Sequence, residues 1–377
     1  MTTRAAAPPS RRPGGSTGVD AGHACSELAY RWCEASFSHR TGRAGQVAGD
    51  VRASFASVLG LGEMRLGITS DGIGTKIEIA ERARRYDTLG FDLVAMVVDD
   101  LAANGLEPVC VSNILDVDVP DPAVVEPLMA GLHRAAAAAR VVLAGGETAA
   151  LGSRVRGFGP GMHFNWCATA LGILPEGLDP IDGRAVEVGD VILGFRGDGL
   201  RSNGFSLARR ILTRALGTTW HDRALDGWTR WADALLTPSE IFAPQVVDLI
   251  ASGVRPHGIA HITGGGIPEK LGRVLAVRGL GGELTDLFPP PGVVTALREL
   301  GKVPAETAYR AWNMGNPLLV VLDPRDVEPA LSCLGRGPHA VRAVGRVVAE
   351  PAVTIIADGI HAKTTFRVPR GPHAGPR

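Results

Sequence analysis

The sequence of 377 residues has few cysteines, few aromatic residues and no excess charge of either sign. Its five cysteines are scattered and no pair has the spacing of a metal site, so neither a disulfide framework nor a cysteine-based metal site is expected. Lysine plus arginine and aspartate plus glutamate each total 39, and the basic residues are spread along the chain. This balance argues against nucleic acid or an anionic membrane as a partner and favours a small, soluble substrate.

Long apolar runs are also absent from the sequence. Nowhere do roughly eighteen apolar residues occur together, so no transmembrane helix is expected, and the arginine-containing N-terminus lacks the apolar segment of a secretion signal. Residues 1–18 and 368–377 are rich in proline, glycine and arginine and are predicted to be loose tails. We therefore expect a cytoplasmic protein of enzyme size.

The rest of the chain alternates between helical and strand-like segments. A helix is predicted over 20–37 with Asp20 as its cap, and short strands follow it. Further elements are predicted as helix, strand, helix and strand at about 92–104, 108–117, 121–140 and 141–146. The alternation resumes after a loop near residue 180. The pattern predicts an α/β (α+β) fold with two domains, residues 19–176 and 183–367.

The motif SDGIGTK, residues 70–76, combines an acid, two glycines and a lysine. Glycines let backbone amides approach a phosphate, and Lys76 adds a point positive charge. The spacing differs from that of a Walker A loop, and a capped helix start explains these residues alone equally well. Residues with a predicted nucleotide contact in this motif are Asp71, Gly72, Gly74, Thr75 and Lys76.

Two further carboxylates end apolar segments. Asp99 and Asp100 follow LVAMVV on a predicted helix, where consecutive side chains point about 100° apart, so that one can face a cleft while the other supports the structure. We assign Asp100 to a metal and Asp99 to a structural role. Glu147 follows Gly145 and Gly146 at a predicted strand-to-helix turn. Because Mg²⁺ takes one or two carboxylates and leaves other positions to water and phosphate, the predicted metal ligands are Asp71, Asp100 and Glu147.

Two glycine-containing turns occur in the second half of the chain. HITGGGIPEKL places Gly264, Gly265 and Gly266 ahead of a predicted helix, which is the chemistry of an anion site at a helix N-terminus, although three glycines also suit a simple tight turn. His261 lies just before these glycines; a histidine on a strand is more often structural than catalytic. RSNGFS, residues 201–206, forms the other turn.

Taken in order, these motifs resemble aminoimidazole ribonucleotide synthetase, the phosphoribosylformylglycinamidine cyclo-ligase family of purine biosynthesis. The resemblance covers about residues 17–350 and includes GVDAG, SDGIGTK, YDTLGFDLVAMVVDDLAANGLEP, GGETA, SNGFSLARRIL, LLTPSEIF, HGIAHITGGG and YRAWNMG. It implies an ATP- and Mg-dependent enzyme that phosphorylates an amide or formyl oxygen so that a nitrogen can attack. It also implies a two-domain synthetase fold and a homodimer, in which a mixed N-terminal sheet joins that of a second copy in a barrel.

The resemblance also implies roles for individual residues. The catalytic candidates are His261, for proton transfer, together with Asp100 and Lys76. The nucleotide and metal candidates are Asp71, Gly72, Gly74, Thr75, Lys76, Asp100, Gly145, Gly146 and Glu147. The candidates near the substrate or its phosphate are Arg201, Ser202, Asn203, Gly264, Gly265 and Gly266.

The chain departs from the family pattern at several positions. Tyr30 stands where the family has a lysine, Arg201 stands where it has a histidine, and NMGNP replaces a glycine turn. Two alternatives to the cyclo-ligase therefore stay open. One is a diverged paralogue of specialised metabolism that activates a different amide or carboxylate with ATP. The other is a non-catalytic nucleotide-binding regulator.

Overall fold

The computed structural model describes residues 18–48, 54–357 and 361–367. The chain divides into two compact units, one ending at Val47 and the other beginning at Ala48. The first unit contains helix α1 (Gly18–Ser36) and a 3₁₀ turn (Phe37–Arg40), and strand β1 (Gln46–Ala48) begins at its end. The cap predicted at Asp20 is wrong, because the helical hydrogen-bond pattern already includes this residue in its first turn. The predicted tails lie outside the described residues, except that Gly18 is helical.

The first sheet of the second unit is mixed, as the sequence predicted. Its strands are β2 (Ser57–Leu61), β3 (Met64–Gly72), β4 (Glu107–Val117), β5 (Val142–Ala150) and β6 (Phe164–Ile173). They lie in the order β2-β3-β6-β4-β5, and neighbours are antiparallel except for the parallel pair β4 and β5. The helices of this region are α2 (Ile77–Ala83), α3 (Leu89–Ala103) and α4 (Pro122–Ala139).

Strand β5 is longer than the sequence predicted. The expected strand-to-helix turn at Glu147 is wrong, because parallel pairing with β4 resumes after a bulge and continues to Ala150. Beyond the bulge Asn113 pairs with Gly146, and Ile114 pairs with Glu147. Glu147 therefore lies inside a strand and not at the mouth of a cleft.

The second sheet contains the C-terminal strands. They are β7 (Val191–Phe195), β8 (Gly258–His261), β9 (Gly281–Leu284), β10 (Leu318–Leu322), β11 (Val341–Val348), β12 (Ala352–Ala357) and β13 (His361–Arg367). Their order is β13-β12-β9-β11-β7-β10-β8, with only β12 and β9 parallel among the described pairs. The accompanying helices are α5 (Phe205–Leu216), α6 (Trp231–Leu235), α7 (Ala243–Ala251), α8 (Gly266–Ala276), α9 (Gly292–Gly301), α10 (Ala305–Ala311) and α11 (Val327–Leu334).

Helix α3 joins the two sheets. Its apolar residues pack on β3 and β6, and it also contacts α7 and β8 from the second half of the chain. Asp92, Met96, Asp99 and Asp100 recur at the spacing i, i+4, i+7 and i+8, which places them along one face of the helix. This face brings acids of the first half of the chain against turns of the second half. The predicted domain division near residue 180 stays a prediction.

Candidate active site

A network of buried hydrogen bonds inside the second unit connects α3, the turn before α5 and the end of β8. The guanidinium of Arg201 donates from Nη2 to Asp99 Oδ2 over 2.6 Å and from Nη1 to His261 Nε2 over 2.7 Å. His261 Nδ1 lies 2.7 Å from Asp100 Oδ1. Asp99, Arg201 and His261 are buried, whereas the Asp100 side chain keeps 16% of its surface exposed. Asp100 is therefore the member of this hydrogen-bond network that reaches the surface.

The Arg201 contact decides which nitrogen of His261 carries the proton. A guanidinium has donors and no acceptor, so Nε2 must accept, and the hydrogen of the neutral ring resides on Nδ1. Burial and the positive charge of Arg201 lower the pKa of His261 to about 3, which keeps the ring neutral at physiological pH. Nδ1–H then donates to Asp100. Both ring nitrogens are engaged inside the protein, so His261 does not present a nitrogen to a substrate in this arrangement.

Asp99 has the structural role that the sequence predicted for it. Its Oδ1 accepts hydrogen bonds from the backbone amides of Phe242 (2.9 Å) and Ala243 (2.8 Å) at the start of α7. Its other oxygen accepts from Arg201, which also donates to the carbonyl of Glu240. A carboxylate at a helix N-terminus stabilises amides that have no partner inside the helix. Asp99 thus ties α3 to α7.

Asp71 and Asp100 form an electrostatically coupled pair. Desolvation by surrounding protein and, to a smaller extent, the charge of Asp100 raise the pKa of Asp71 to about 6 against a hydrogen bond from the amide of Gly72, although part of the Asp71 side chain is exposed. Burial raises the pKa of Asp100 to about 7. Two neighbouring carboxylates that resist ionisation are the donor set that a divalent cation with a bound phosphate satisfies. These two residues therefore fit Mg²⁺.

Glu147, the third predicted metal ligand, does not share a site with Asp71 and Asp100. In the sheet, Glu147 shares a row with Ile114 of β4 and with Cys167 of β6, whereas Asp71 lies in the next row, beside Ala168. Adjacent rows face opposite sides of a sheet, so Glu147 and Asp71 point away from each other. Across the described residues, no three acidic, histidine or cysteine side chains are arranged to hold a metal ion. For Glu147 the reason is the register of β5, which directs its side chain to the face opposite that of Asp71.

Lys76 is also not in a position to contact a phosphate. Its side chain is fully buried, and its Nζ donates to Asp92 Oδ1 and to the carbonyl oxygen of Thr237, each over 2.7 Å. Ser239 donates to the same Asp92 oxygen. Burial lowers the pKa of Lys76 and raises the pKa of Asp92, and each charge offsets part of that effect on the other. In this arrangement Lys76 joins structural elements and has no exposed surface for a nucleotide.

The glycine turns lie where the sequence places them. Helix α8 begins at Gly266, which has a positive φ of 65°, and a Cβ there would collide with the carbonyl oxygen of Tyr309. Ser202 Oγ lies 3.5 Å from the carbonyl of Asp92, and Asn203 packs against Met96 on the same face of α3. The α8 turn therefore needs glycine for close packing as well as for any anion contact.

The SDGIGTK loop meets the second glycine turn at Thr75. Its hydroxyl lies 3.3 Å from the hydroxyl of Ser206, at the start of α5. Gly74 in the same loop has a positive φ of 68°. Two motifs separated by more than a hundred residues of sequence are thus adjacent. The other two predicted glycines, Gly145 and Gly146, lie in the exposed strand β5 with Glu147.

Lys270 is a charged residue that the sequence analysis missed. It lies in the first turns of α8, keeps only 12% of its side chain exposed and contacts Glu269 over 3.3 Å. Its charge lowers the pKa of both Asp71 and Asp100, as does that of Arg273 for Asp100. The signal was available, since a lysine four residues after a triple glycine falls within the first two turns of the helix that those glycines begin.

The fold and the site together define a class of protein. The family model "AIR synthase related protein, N-terminal domain" matches residues 54–174, and its C-terminal counterpart matches residues 187–358. The chain belongs to this family.

Two relatives that carry the same enzyme name are similar to this chain over most of its length. The phosphoribosylformylglycinamidine cyclo-ligase of Thermococcus kodakarensis is 35% identical over 325 residues, which cover 86% of this chain and 91% of the relative. The enzyme of the same name from Methanothermobacter thermautotrophicus is 37% identical over 292 residues, or 77% of this chain and 82% of the relative.

Solved structures share the fold at low sequence identity. The hydrogenase maturation protein HypE in its complex with HypF has a TM-score of 0.61 at 18% identity, covering 85% of this chain and 94% of that one. HypE in complex with ATP has a TM-score of 0.55 at 21% identity, covering 81% and 86% of the two chains. PurL from T. maritima complexed with ADP has a TM-score of 0.56 at 16% identity and covers 84% and 45%. In the described residues no helix is long and apolar enough to cross a membrane.

Proposed function

We propose that this chain is an ATP- and Mg-dependent cyclo-ligase that closes the ring of formylglycinamidine ribonucleotide to give aminoimidazole ribonucleotide. The observation that carries the proposal is the similarity to phosphoribosylformylglycinamidine cyclo-ligases over nine-tenths of the Thermococcus kodakarensis relative's length. Structural neighbours crystallised with ATP or ADP support nucleotide binding by this fold. The coupled acids Asp71 and Asp100 support a magnesium site on α3 and β3.

In this reaction ATP supplies the phosphoryl group that turns an amide oxygen into a leaving group, and a nitrogen of the same molecule then attacks the carbon. Asp71 and Asp100 would hold Mg²⁺ against the phosphates. The positive charges of Lys270 and Arg273 on α8 lower the pKa of Asp100 and offset negative charge there. His261 holds the Asp100 carboxylate in place through a hydrogen bond, and Arg201 in turn donates a hydrogen bond to His261. The roles of these residues follow from position and charge.

We also propose that two copies associate through the first sheet. Strand β5 is an edge strand, and its Val142 and Leu143 are exposed, as is Ile114 on the neighbouring strand. An exposed apolar sheet edge is an unstable feature for a monomer and suits pairing with a second copy. Light scattering after gel filtration should give twice the chain mass of 39.4 kDa. A monomer at working concentration would contradict this part of the proposal.

The activity test measures ADP release by purified protein with Mg-ATP and formylglycinamidine ribonucleotide. Asp100→Asn should lower the turnover by at least about 100-fold while the circular dichroism spectrum stays unchanged, because the amide cannot supply a negative charge to Mg²⁺. Glu328→Gln on the exposed surface of α11 is the matched control and should act like the parent protein.

The outcomes separate the three functions that the sequence left open. Turnover of the ribonucleotide supports the cyclo-ligase. ADP release only with some other amide or carboxylate supports a diverged paralogue. Nucleotide binding without turnover of any substrate supports a regulator.

A further inference from the structure

Arg201 is held in an unusual backbone conformation inside the second unit. Its φ is +58°, in the left-handed region that non-glycine residues seldom adopt, and only 2% of its surface is exposed. Such conformations cost free energy and persist where surrounding contacts over-determine them. The guanidinium makes three such contacts, with the Asp99 carboxylate, the His261 ring and the Glu240 carbonyl.

None of these contacts points to a substrate. The two terminal nitrogens of the guanidinium are engaged with protein atoms, and the side chain also packs over the ring of Phe242 at 5.2 Å. An arginine that recognises a phosphate needs its paired donors directed at the anion. A buried arginine whose two terminal nitrogens both bond to protein atoms, and whose Nε is itself buried, is thus poorly placed for the substrate contact that the sequence predicted.

We propose that Arg201 is a positioning residue for Asp100, acting through the tautomer of His261. Arg201 donates to Nε2 of the imidazole and thereby leaves the ring hydrogen on Nδ1, where it donates to Asp100 Oδ1. Asp99 anchors the other side of the guanidinium. The arrangement fixes one carboxylate oxygen of Asp100, and with it the orientation of the second oxygen towards a cation.

The physical basis is the donor count of the three side chains. Arginine has only donors, an ionised aspartate has only acceptors, and a neutral imidazole has one of each. An imidazole between an arginine and a carboxylate can satisfy both neighbours in one tautomer alone. Partners of this kind behind a metal-binding carboxylate or histidine typically change metal affinity by about 10- to 100-fold.

The first measurement is the tautomer of His261 in metal-free protein without nucleotide. Long-range ¹⁵N–¹H correlation spectra of ¹⁵N-histidine-labelled protein separate the two neutral tautomers, and His261→Gln assigns the signal. The parent protein should show the hydrogen on Nδ1. A hydrogen on Nε2 in the parent protein would overturn the proposal without recourse to any variant.

The second measurement removes the arginine in protein where Asp100 no longer fixes the ring hydrogen. In Asp100→Asn the hydrogen should stay on Nδ1, because Arg201 still donates to Nε2. Adding Arg201→Met to this variant should give the other tautomer or a mixture, because neither neighbour then dictates the position of the hydrogen. Asp99→Asn, added as well, removes the unpaired charge and keeps an acceptor for the α7 amides, so it serves if the variant without Arg201 fails to fold. An unchanged His261 tautomer in the folded variant that lacks both Arg201 and Asp100 would contradict the proposal. Arg140→Met removes an exposed arginine paired with Asp248 and should leave the spectrum unchanged.

The third measurement rests on the proposed cyclo-ligase function. Loss of Arg201 should weaken Mg²⁺ binding and lower kcat by about 10- to 100-fold, with KM for the ribonucleotide within about threefold of the parent value. A large rise in KM for the ribonucleotide with unchanged Mg²⁺ binding would identify Arg201 as a substrate contact instead. If no substrate turns over, the spectra still decide the tautomer, so failure of the function and failure of this inference are distinguishable.

Discussion

The buried pair of Lys76 and Asp92 allows a quantitative test of whether SDGIGTK supplies a nucleotide contact or a structural one. Neither side chain has any exposed surface, and the Nζ–Oδ1 distance is 2.7 Å. Removing one partner of a buried ion pair leaves an uncompensated charge and costs about 3–5 kcal/mol. Lys76→Met should therefore lower the free energy of unfolding by about that amount, since among the residues that the structure describes the Asp92 carboxylate retains only the hydroxyl of Ser239 as a donor.

The expected shift in melting temperature follows from the size of the unit. Unfolding entropy is about 2.1 cal/mol/K per residue, so a unit of roughly 330 residues loses about 4–7 °C for 3–5 kcal/mol. The double variant Lys76→Met with Asp92→Asn has no buried charge at this position and keeps an acceptor for Ser239. Its stability should return to within about 2 kcal/mol of the parent protein, because neutral replacements of buried pairs are often tolerated.

Differential scanning fluorimetry on the parent protein, the single variant and the double variant decides the matter. The same preparations are assayed for ADP release, and KM for ATP in the double variant should stay within about threefold of the parent value. A single variant that melts with the parent protein would refute the structural reasoning. A KM for ATP raised by tenfold or more in the stable double variant would restore Lys76 to the nucleotide site.

Two further predictions concern residues outside this pair. Glu147→Gln should leave Mg-dependent ADP release within about twofold of the parent rate, since Glu147 and Asp71 point to opposite faces of the sheet; a loss comparable to that of Asp100→Asn would show that it reaches the metal. Burial lowers the pKa of His163, but hydrogen bonds to Asp118 and to the carbonyl of Gly159, with the negative charges of Glu81 and Asp118, together outweigh burial and raise the pKa above the ordinary value. A raised folded-state pKa stabilises the fold below the unfolded value of about 6.5, and this stabilisation is lost as pH rises through the folded-state pKa. The melting-temperature difference between the parent protein and His163→Gln should therefore shrink from about pH 6 to about pH 9, and a constant or growing difference would contradict the assignment.

Local patterns were sufficient for much of the fold. The apolar run before Asp99 predicts a helix, and α3 includes it; the alternation that follows predicts β4 and α4 to within a few residues. These predictions succeed because periodicity and capping act over a few neighbouring residues. Where pairing with a distant strand decides the outcome, the same reasoning fails. Strand β5 continues past Glu147 because β4 offers it partners, and nothing within the segment itself reports that.

For the charged residues, too, the sequence predicts the motif in which each lies, whereas the structure decides which partner each contacts. The sequence shows that Lys76, Arg201 and His261 occur in glycine-containing motifs, which is sufficient for the family resemblance and for a phosphate-type site. It does not show which of them are turned inward. Lys76 is bound to the carbonyl of Thr237, and Arg201 to Asp99, contacts that span 161 and 102 residues of sequence. Whether a charge faces solvent or a buried partner depends on such long-range packing.

The sequence by itself determined the family, the mixed α/β class and the positions of the acids along α3 and β3. Tertiary structure decided the use of those residues. It placed Asp71 near Asp100, moved Glu147 to the opposite face through the register of β5, and enclosed Arg201 between an aspartate and a histidine. The physical reason is that hydrogen-bond partners, and the desolvation that makes a buried charge require one, are set by elements far apart in the chain.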